Sequence, residues 1–273
     1  MLAIKIFSRN IIYSNKIAII ILCLLGVVIY SNTFQSSFHF DDNSSIIENS
    51  NITNLADLKA IWNFWPTRFL TYLSIAVNYH FGQLNVVGYH LFNLVVHLVS
   101  AIMVWWLVFL TLSTPEMKDN KITRFTHHIA FFVALIFIAH PIQTQAVTYI
   151  IQRAASLATL FYLLAVSLYV KSKLVEGETN KRLYYAGSLI TTIIAMFTKE
   201  TTLTLPLMIL LYQAWFFRTK KGINYRRLLP LLVTILVIPL TMIITNTVNI
   251  QEMRLSAEGG AGYFAGALSF DSV

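Results

Sequence analysis

Two adjacent carboxylates, Asp41 and Asp42, lie in the stretch FHFDDNSS, which spans residues 38–45. They directly follow a long apolar run, so paired negative charge would stand next to hydrocarbon if that run crosses a membrane. A carboxylate in such a place can act as a general base toward an acceptor hydroxyl. Taken alone, the same pair also suits a solvated loop or the N-terminal cap of a helix. The other polar residues must therefore decide between these interpretations.

Cations and further polar side chains recur near the ends of the later apolar runs. They are Arg68, Arg153 and Lys199, accompanied by His90, Asn93, His97, His140 and Glu200. Arginine and lysine bind phosphate oxygens and stabilise the charge that develops on a phosphate leaving group. With a carboxylate nearby, they suit the transfer of a group from a lipid-linked phosphate. Each cation could instead anchor a helix at the headgroups, and the His90, Asn93 and His97 spacing favours an interhelical hydrogen-bonding stripe over a metal site.

The composition indicates which elements must position these residues. Hydrophobic residues make up 56% of the 273-residue chain and charged residues only 12%, whereas a soluble domain has about 25% charged residues. We therefore predict an all-α polytopic membrane protein with about seven transmembrane helices. The one cysteine, Cys23, lies inside the first apolar run and is predicted to be an inert packing residue.

The predicted spans are apolar runs near the length that crosses a bilayer, about 20 residues. They are residues 17–34, 88–112, 127–140, 151–170, 183–198, 200–217 and 228–247. The segment 68–82 is shorter and begins with Arg68, so it could be a short span or an interfacial helix. Basic residues collect in cytoplasmic loops, and only the interfacial alternative places most of the 20 lysines and arginines there.

The predicted topology is one membrane domain over residues 1–273 with a cytoplasmic N-terminus. It has a first extracytoplasmic loop at 35–87, outer interfacial helices in that loop including 68–82, six further spans over 88–247 and an extracytoplasmic segment at 248–273; residues 141–150 form a second outer segment. The unusual polar residues then gather at the extracytoplasmic face. The basic charge is a topology signal, so no nucleic-acid partner is expected.

Four stretches, in order, resemble a known family. They read FHFDDNSSIIENSNI, RFLTYLSIAVNYHFGQLNVVGYHLFNLVVHL, HPIQTQAVTYIIQRAASLATLFYL and TKETTLTLPLMILLY. They resemble the transmembrane O-mannosyltransferase-like family, which usually carries C-terminal tetratricopeptide repeats, and they cover about residues 30–215. The resemblance implies a fold of the GT-C superfamily, whose members use polyprenyl-phosphate sugars and have an essential acidic residue in the first outer loop.

Carried over by position, the resemblance assigns a role to each candidate residue. It implies Asp41 or Asp42 as the base, Arg68, Arg153 and Lys199 as donor-phosphate binders, and His90, Asn93, His140 and Glu200 as residues that shape the site. Two positions depart from the family pattern, since Phe69 stands where proline is common and Gln145 where glutamate is common. The repeats are absent from residues 1–273, so the chain resembles the N-terminal membrane half of the family.

The sequence thus predicts a membrane glycosyltransferase in the cell or inner membrane with an extracytoplasmic active face. It would move a sugar such as mannose from a polyprenyl phosphate to a protein hydroxyl. The expected partners are this donor, a protein acceptor, membrane lipids and a larger membrane complex, and a divalent metal could take part. The alternative is a non-catalytic structural subunit, which Gln145 and the missing repeats motivate. A transporter would need charged residues along a path through the bilayer, whereas here they gather at one face.

Overall fold

The structure, a computed structural model, describes residues 15–217 and 225–245. These residues form helices joined by short turns, and no strand occurs among them, which confirms the all-α class. The helices are α1 Asn15–Ile29, α2 Leu58–Phe64, α3 Phe69–Gly82, α4 Val86–Leu112, α5 Thr126–Ala139, α6 Thr144–Thr148, α7 Arg153–Leu174, α8 Glu178–Ala195, α9 Leu205–Phe216, α10 Tyr225–Val233 and α11 Val237–Ile244.

Three stretches of the described chain are long and apolar enough to cross a membrane: Val86–Leu112, Lys121–Ala139 and Ile150–Leu174. They correspond to the predicted spans 88–112, 127–140 and 151–170. The other predicted spans also coincide with helices, which are shorter or carry more charge. Large apolar side chains such as Leu24 and Phe132 are exposed, as expected where the surrounding solvent is lipid. The protein is therefore an integral membrane protein.

The helix ends determine which residues meet. Helix α7 is followed by a short reversal in which Gly177 has a φ of +82°, a conformation that glycine adopts without steric cost. Helix α8 then packs back along α7. A buried cluster that includes Val166, Tyr169 and Ile209 fills the space between α7 and α9. Since α4 and α7 begin at the same end of the bundle and α8 returns to it, residues far apart in sequence converge there.

The segments outside the long helices form short helices and turns where the sequence predicted outer elements, and the side of the membrane on which they lie stays a prediction. Helix α3, Phe69–Gly82, matches the predicted interfacial helix 68–82, and α2 precedes it in the same loop. Helix α5 ends at Ala139 because Pro141 disfavours a helical conformation in the residue before it, and His140 is extended. Residues 141–152 are broken into short turns around α6, in line with a second outer segment. Helix α1 ends at Ile29, before the predicted residue 34, and a 3₁₀ turn follows it.

Several sequence predictions concern residues outside the described ranges. Lys5, Arg9, residues 218–224 of a predicted cytoplasmic loop and residues 246–273 of the predicted extracytoplasmic segment belong to this group. The orientation of the termini stays a prediction.

Candidate functional site

The two adjacent carboxylates have opposite environments. Asp42 is 0% exposed, and its Oδ2 accepts a hydrogen bond from the backbone N–H of His39 at 3.0 Å while its Oδ1 accepts one from Ile151 at 2.8 Å. Asp41 is exposed, and its backbone N–H donates to the hydroxyl of Tyr149 at 3.2 Å. Asp42 therefore holds the first loop against the turn before α7, whereas Asp41 is exposed and its side chain is hydrogen bonded to the hydroxyl of Tyr149.

The pKa of Asp42 reflects this enclosure. Burial raises the pKa of its carboxyl above the usual range, and the backbone N–H groups of His39, Ile151 and Ile150 oppose the rise. The side chain is satisfied by backbone donors, as buried polar groups generally are. Asp41 is thus the member of the pair whose carboxylate an external hydroxyl can reach.

Arg68 and Glu200 form an ion pair that joins α3 to the turn between α8 and α9. Arg68 Nη2 lies 2.8 Å from Glu200 Oε2, and its Nε lies 3.1 and 3.0 Å from the two carboxylate oxygens. The indole N–H of Trp65 and the hydroxyl of Thr67 also donate to Oε1, at 3.0 and 2.7 Å. The Arg68 guanidinium lies over the Trp65 ring, 4.2 Å from its centre. A cavity of about 400 Å³ opens beside this group.

These donors determine the charge state of Glu200. Burial acts to raise the pKa of its carboxyl, but the hydrogen bonds from Arg68 and Thr67 outweigh burial and lower the pKa to about 2. The carboxylate is therefore ionised at neutral pH and balances the charge of Arg68. Arg68 reaches the site as half of an ion pair, which restrains how much of its charge a phosphate can use.

Tyr72 places Asp41 in the neighbourhood of this ion pair. The tyrosine is 1% exposed, its hydroxyl is hydrogen bonded to Ser45, and the charges of Arg68, Glu200 and Asp41 all act on it. Burial raises the pKa of this phenol. Arg68 and Glu200 are in direct contact, and the charge of Asp41 acts with theirs on the same buried phenol.

Lys199 lines a different cavity from its neighbour Glu200. It lines a cavity of about 400 Å³ whose wall is one face of α7, including Ala155 and Thr159. The same two residues also line a cavity of about 260 Å³, whose polar lining comprises His97, Gln143, Gln145, Gln152 and Ser156. We call these two adjoining cavities the α7 groove, which has a cation at one end and amide side chains at the other.

Arg153 is placed differently from the sequence prediction. Its side chain is 0% exposed. Its Nε donates to Asn93 Oδ1 at 2.8 Å, its Nη1 to the carbonyl of Ser74 at 3.0 Å and its Nη2 to the carbonyl of Tyr89 at 3.0 Å. The ring of Phe92 covers the guanidinium at 4.3 Å. Because every side of the group faces protein, this arrangement offers no contact to a donor phosphate, and Arg153 instead ties α3, α4 and α7 together.

Asn93 and the histidines of α4 also lie inside the bundle. The amide of Asn93 donates to the carbonyl of Ile150 at 3.2 Å, and His90 Nε2 lies 2.9 Å from the carbonyl of Ser36. His97 is buried between the rings of Tyr30 and Phe137. This agrees with an interhelical hydrogen-bonding stripe.

Two ring nitrogens in this stripe, His90 Nδ1 and His97 Nε2, have no hydrogen-bond partner in the described part of the chain. His140, by contrast, is exposed, and its Nδ1 accepts a hydrogen bond from the backbone N–H of Ile142 at 3.2 Å. No cluster of three or more His, Cys, Asp or Glu side chains within residues 15–217 and 225–245 could hold a metal ion.

The sequence interpretation missed the aromatic residues that complete the cluster. Trp65 donates to Glu200 and lies under Arg68, the hydroxyl of Tyr149 accepts from the backbone N–H of Asp41, and Tyr72 feels the charges of both regions. The stretch IWNFWPTR at 61–68 carried a signal for Trp65, since two tryptophans in a short outer loop are suited to an interface. Nothing in the sequence distinguished Tyr72 or Tyr149 from the other tyrosines.

Comparison with curated proteins finds relatives of similar sequence. Human protein O-mannosyl-transferase TMTC3 is 31% identical over 198 residues, which are 66% of this chain and 20% of the relative. Protein O-mannosyl-transferase Tmtc1 of Drosophila melanogaster is 31% identical over 197 residues, 66% of this chain and 21% of the relative. Human protein O-mannosyl-transferase TMTC2 is 28% identical over 219 residues, 75% and 25% of the two chains.

The chain spans about a fifth to a quarter of the length of these relatives. No protein-family model and no solved structure matches it.

Proposed function

This chain is a homologue of the transmembrane O-mannosyltransferase-like proteins, and from that relationship we propose that it is a membrane glycosyltransferase. It moves a mannosyl group from a polyprenyl phosphate to the hydroxyl of a protein serine or threonine. Two findings support the proposal: the relatives are named protein O-mannosyl-transferases, and an exposed carboxylate, Asp41, lies in the neighbourhood of one cation, Arg68. The observation that carries it is the exposure of Asp41 beside a buried Asp42.

In the proposed reaction Asp41 is the general base. Its carboxylate accepts the proton of the acceptor hydroxyl, the hydroxyl oxygen forms a bond to the anomeric carbon, and the bond from that carbon to the phosphate oxygen breaks. The polyprenyl phosphate leaves with the electron pair of the broken bond. Attack opposite the leaving group inverts the configuration at the anomeric carbon. A positioned base of this kind contributes about 10²- to 10⁴-fold to the rate.

Lys199 and Arg68 have different roles toward the donor phosphate. Lys199 lines the α7 groove and supplies a mobile ammonium that can follow the growing negative charge. Arg68 lies over the ring of Trp65 and is paired with Glu200, so it orients the phosphate more than it neutralises it. The buried residues Asn93 and Arg153 act on this site through the helices that they hold in place.

The direct test measures mannosyl transfer by the purified chain in proteoliposomes. The donor is radiolabelled polyprenyl-phosphate mannose, and the acceptor is a peptide rich in serine and threonine. Asp41→Asn should lower the turnover number at least about 10²-fold. The matched control is Asp57→Asn, which makes the same change in the same loop. Asp57 caps α2 by accepting from the backbone N–H of Ala60 at 2.9 Å, a role that asparagine fills equally well.

The possible outcomes separate the two functions considered. Equal turnover by the Asp41→Asn and Asp57→Asn variants would refute Asp41 as the base. A folded wild-type chain with no transfer from any polyprenyl-phosphate sugar would refute the enzymatic proposal and favour the structural subunit. Lys199→Gln should raise the donor concentration needed for half-maximal rate and lower the turnover number, because it removes charge stabilisation at the leaving phosphate.

A further inference from the structure

A second charged cavity lies at the end of the bundle remote from Asp41. It measures about 420 Å³ and is lined by Ser172, Lys173, Glu178, Lys181, Arg182, Tyr185 and Pro230. Helix α7 begins at Arg153, beside the candidate site, and rises about 29 Å along its axis to Ser172, which lines this cavity. The distance separates it from the proposed transfer reaction.

The lining of this basic cavity is suited to an anion. Among the described lining residues, three are cations and one is a carboxylate, so their net charge is positive. Lys181 Nζ lies 3.2 Å from Glu178 Oε1, and Lys173 Nζ lies 5.2 Å from the centre of the Tyr169 ring, so both ammonium groups are held near the cavity. The planar guanidinium of Arg182 suits the paired oxygens of a phosphate. The volume is within the range of roughly 300–1,000 Å³ that is usual for ligand pockets.

The outer surface next to the cavity is apolar. On α8, Leu183 and Ile190 are 68% and 58% exposed, and their spacing of seven residues places them on one face of the helix. Leu183 directly follows Arg182 in the chain. In a membrane protein such exposed apolar side chains contact acyl chains. A ligand with a phosphate headgroup and hydrocarbon tails can therefore contact the cavity and this face together.

We infer that the basic cavity binds the phosphodiester headgroup of an anionic phospholipid, with its acyl chains along the face of Leu183 and Ile190. Basic pockets between transmembrane helices on the cytoplasmic side recognise such headgroups, and the positive-inside rule predicts that this lysine-rich end is cytoplasmic. The inference does not rest on the proposed transferase function, because the cavity shares no residue with the candidate site.

The test measures ligand affinity for the purified chain in a neutral detergent. The probe is dioctanoyl phosphatidylglycerol, and the comparison is dioctanoyl phosphatidylcholine, which has the same chains and no net charge. The wild-type chain should bind the anionic lipid at least about tenfold more tightly, a difference that one charge-assisted hydrogen bond can supply. The variant Lys181→Gln with Arg182→Gln should lose this preference. Lys118→Gln with Lys121→Gln, at exposed positions of the loop after α4, should keep it.

A substitution that is expected to raise the affinity distinguishes loss of the binding site from a general folding defect. Glu178→Gln removes the one carboxylate among the described lining residues and its ion pair with Lys181, so it should tighten phosphatidylglycerol binding severalfold, a gain that a misfolded protein cannot show. Equal affinity for the two lipids, or retained preference in the Lys181 and Arg182 double variant, would overturn the inference. Glycerol phosphate binding as tightly as phosphatidylglycerol would also overturn it, because the acyl chains would then contribute nothing.

Discussion

Replacement of Arg153 by leucine tests whether this cation serves the fold or the donor phosphate. The structure gives its guanidinium three protein acceptors, on Asn93, Ser74 and Tyr89, and no exposed surface. Leucine fills part of the volume and leaves all three oxygens without their donor. A role in phosphate binding would instead predict an unchanged fold and a weaker donor affinity.

The magnitude of the effect follows from the acceptors that are left unsatisfied. Each buried acceptor that loses its partner costs about 1–3 kcal/mol, and release from burying a cation offsets part of the sum. We expect Arg153→Leu to lower the free energy of unfolding by about 3–5 kcal/mol. For a domain of this size, 1 kcal/mol corresponds to about 2–4 °C in the melting temperature. The expected decrease is therefore about 6–20 °C, and Arg153→Lys should be intermediate because it retains the charge but not the three-way geometry.

The assay is thermal unfolding of the detergent-solubilised chain, followed by circular dichroism. The matched control is Arg124→Leu, since Arg124 is exposed and contacts the ring of Phe125 at 4.6 Å. This substitution should change the free energy of unfolding by no more than about 0.5 kcal/mol. If the Arg153→Leu and Arg124→Leu variants have the same melting temperature and only the Arg153→Leu variant loses donor binding, the structural role assigned to Arg153 is wrong. The original phosphate-binding prediction would then be restored.

Three further predictions concern single substitutions. The pKa of Glu200 is lowered from 4.5 to about 2, so wild-type stability should fall as the pH drops from 4.5 toward 2, and unfolding curves of Glu200→Gln should lack this dependence. Asp42→Asn offers one oxygen to two backbone donors and should destabilise by about 1–3 kcal/mol in chemical denaturation, whereas Asp57→Asn should not. Gly26→Ala puts a Cβ 2.4 Å from a side chain of α4 and should lower the melting temperature through overpacking by about 1–3 kcal/mol. Gly88→Ala, with its nearest contact at 3.5 Å, should leave it unchanged.

The helices could be predicted because their signals are local. Apolar run length located the spans, and an arginine at one end with Asn-Tyr-His at the other marked the limits of α3. Pro141 fixed the end of α5 for the steric reason given above. The end of α1 was predicted too far along the chain, at residue 34, because an apolar count does not register the turn at Ser31–Gln35.

The site could be predicted only in part, because burial depends on contacts between distant residues. The sequence predicted that Asp41, Arg68 and Glu200 lie at one face. The structure joins Arg68 to Glu200 at 2.8 Å, and the charge of Asp41 acts with theirs on Tyr72. The sequence could not show that Arg153 turns inward, because an arginine at the start of a helix gives the same sequence pattern whether it faces a lipid headgroup or a neighbouring carbonyl. The contact that decides this joins Arg153 to Ser74, far away in the chain.

The acidic pair shows why a loss of activity alone cannot identify a base. Asp42 holds the backbone of its own turn against Ile151 at the start of α7, and Asp41 is fixed in that turn by Tyr149. Removal of the buried carboxylate therefore displaces the exposed one, and transfer falls with either substitution. Stability separates the two cases, because the Asp42→Asn variant loses both stability and transfer. The Asp41→Asn variant leaves every buried bond intact, so only its effect on transfer reports on proton abstraction.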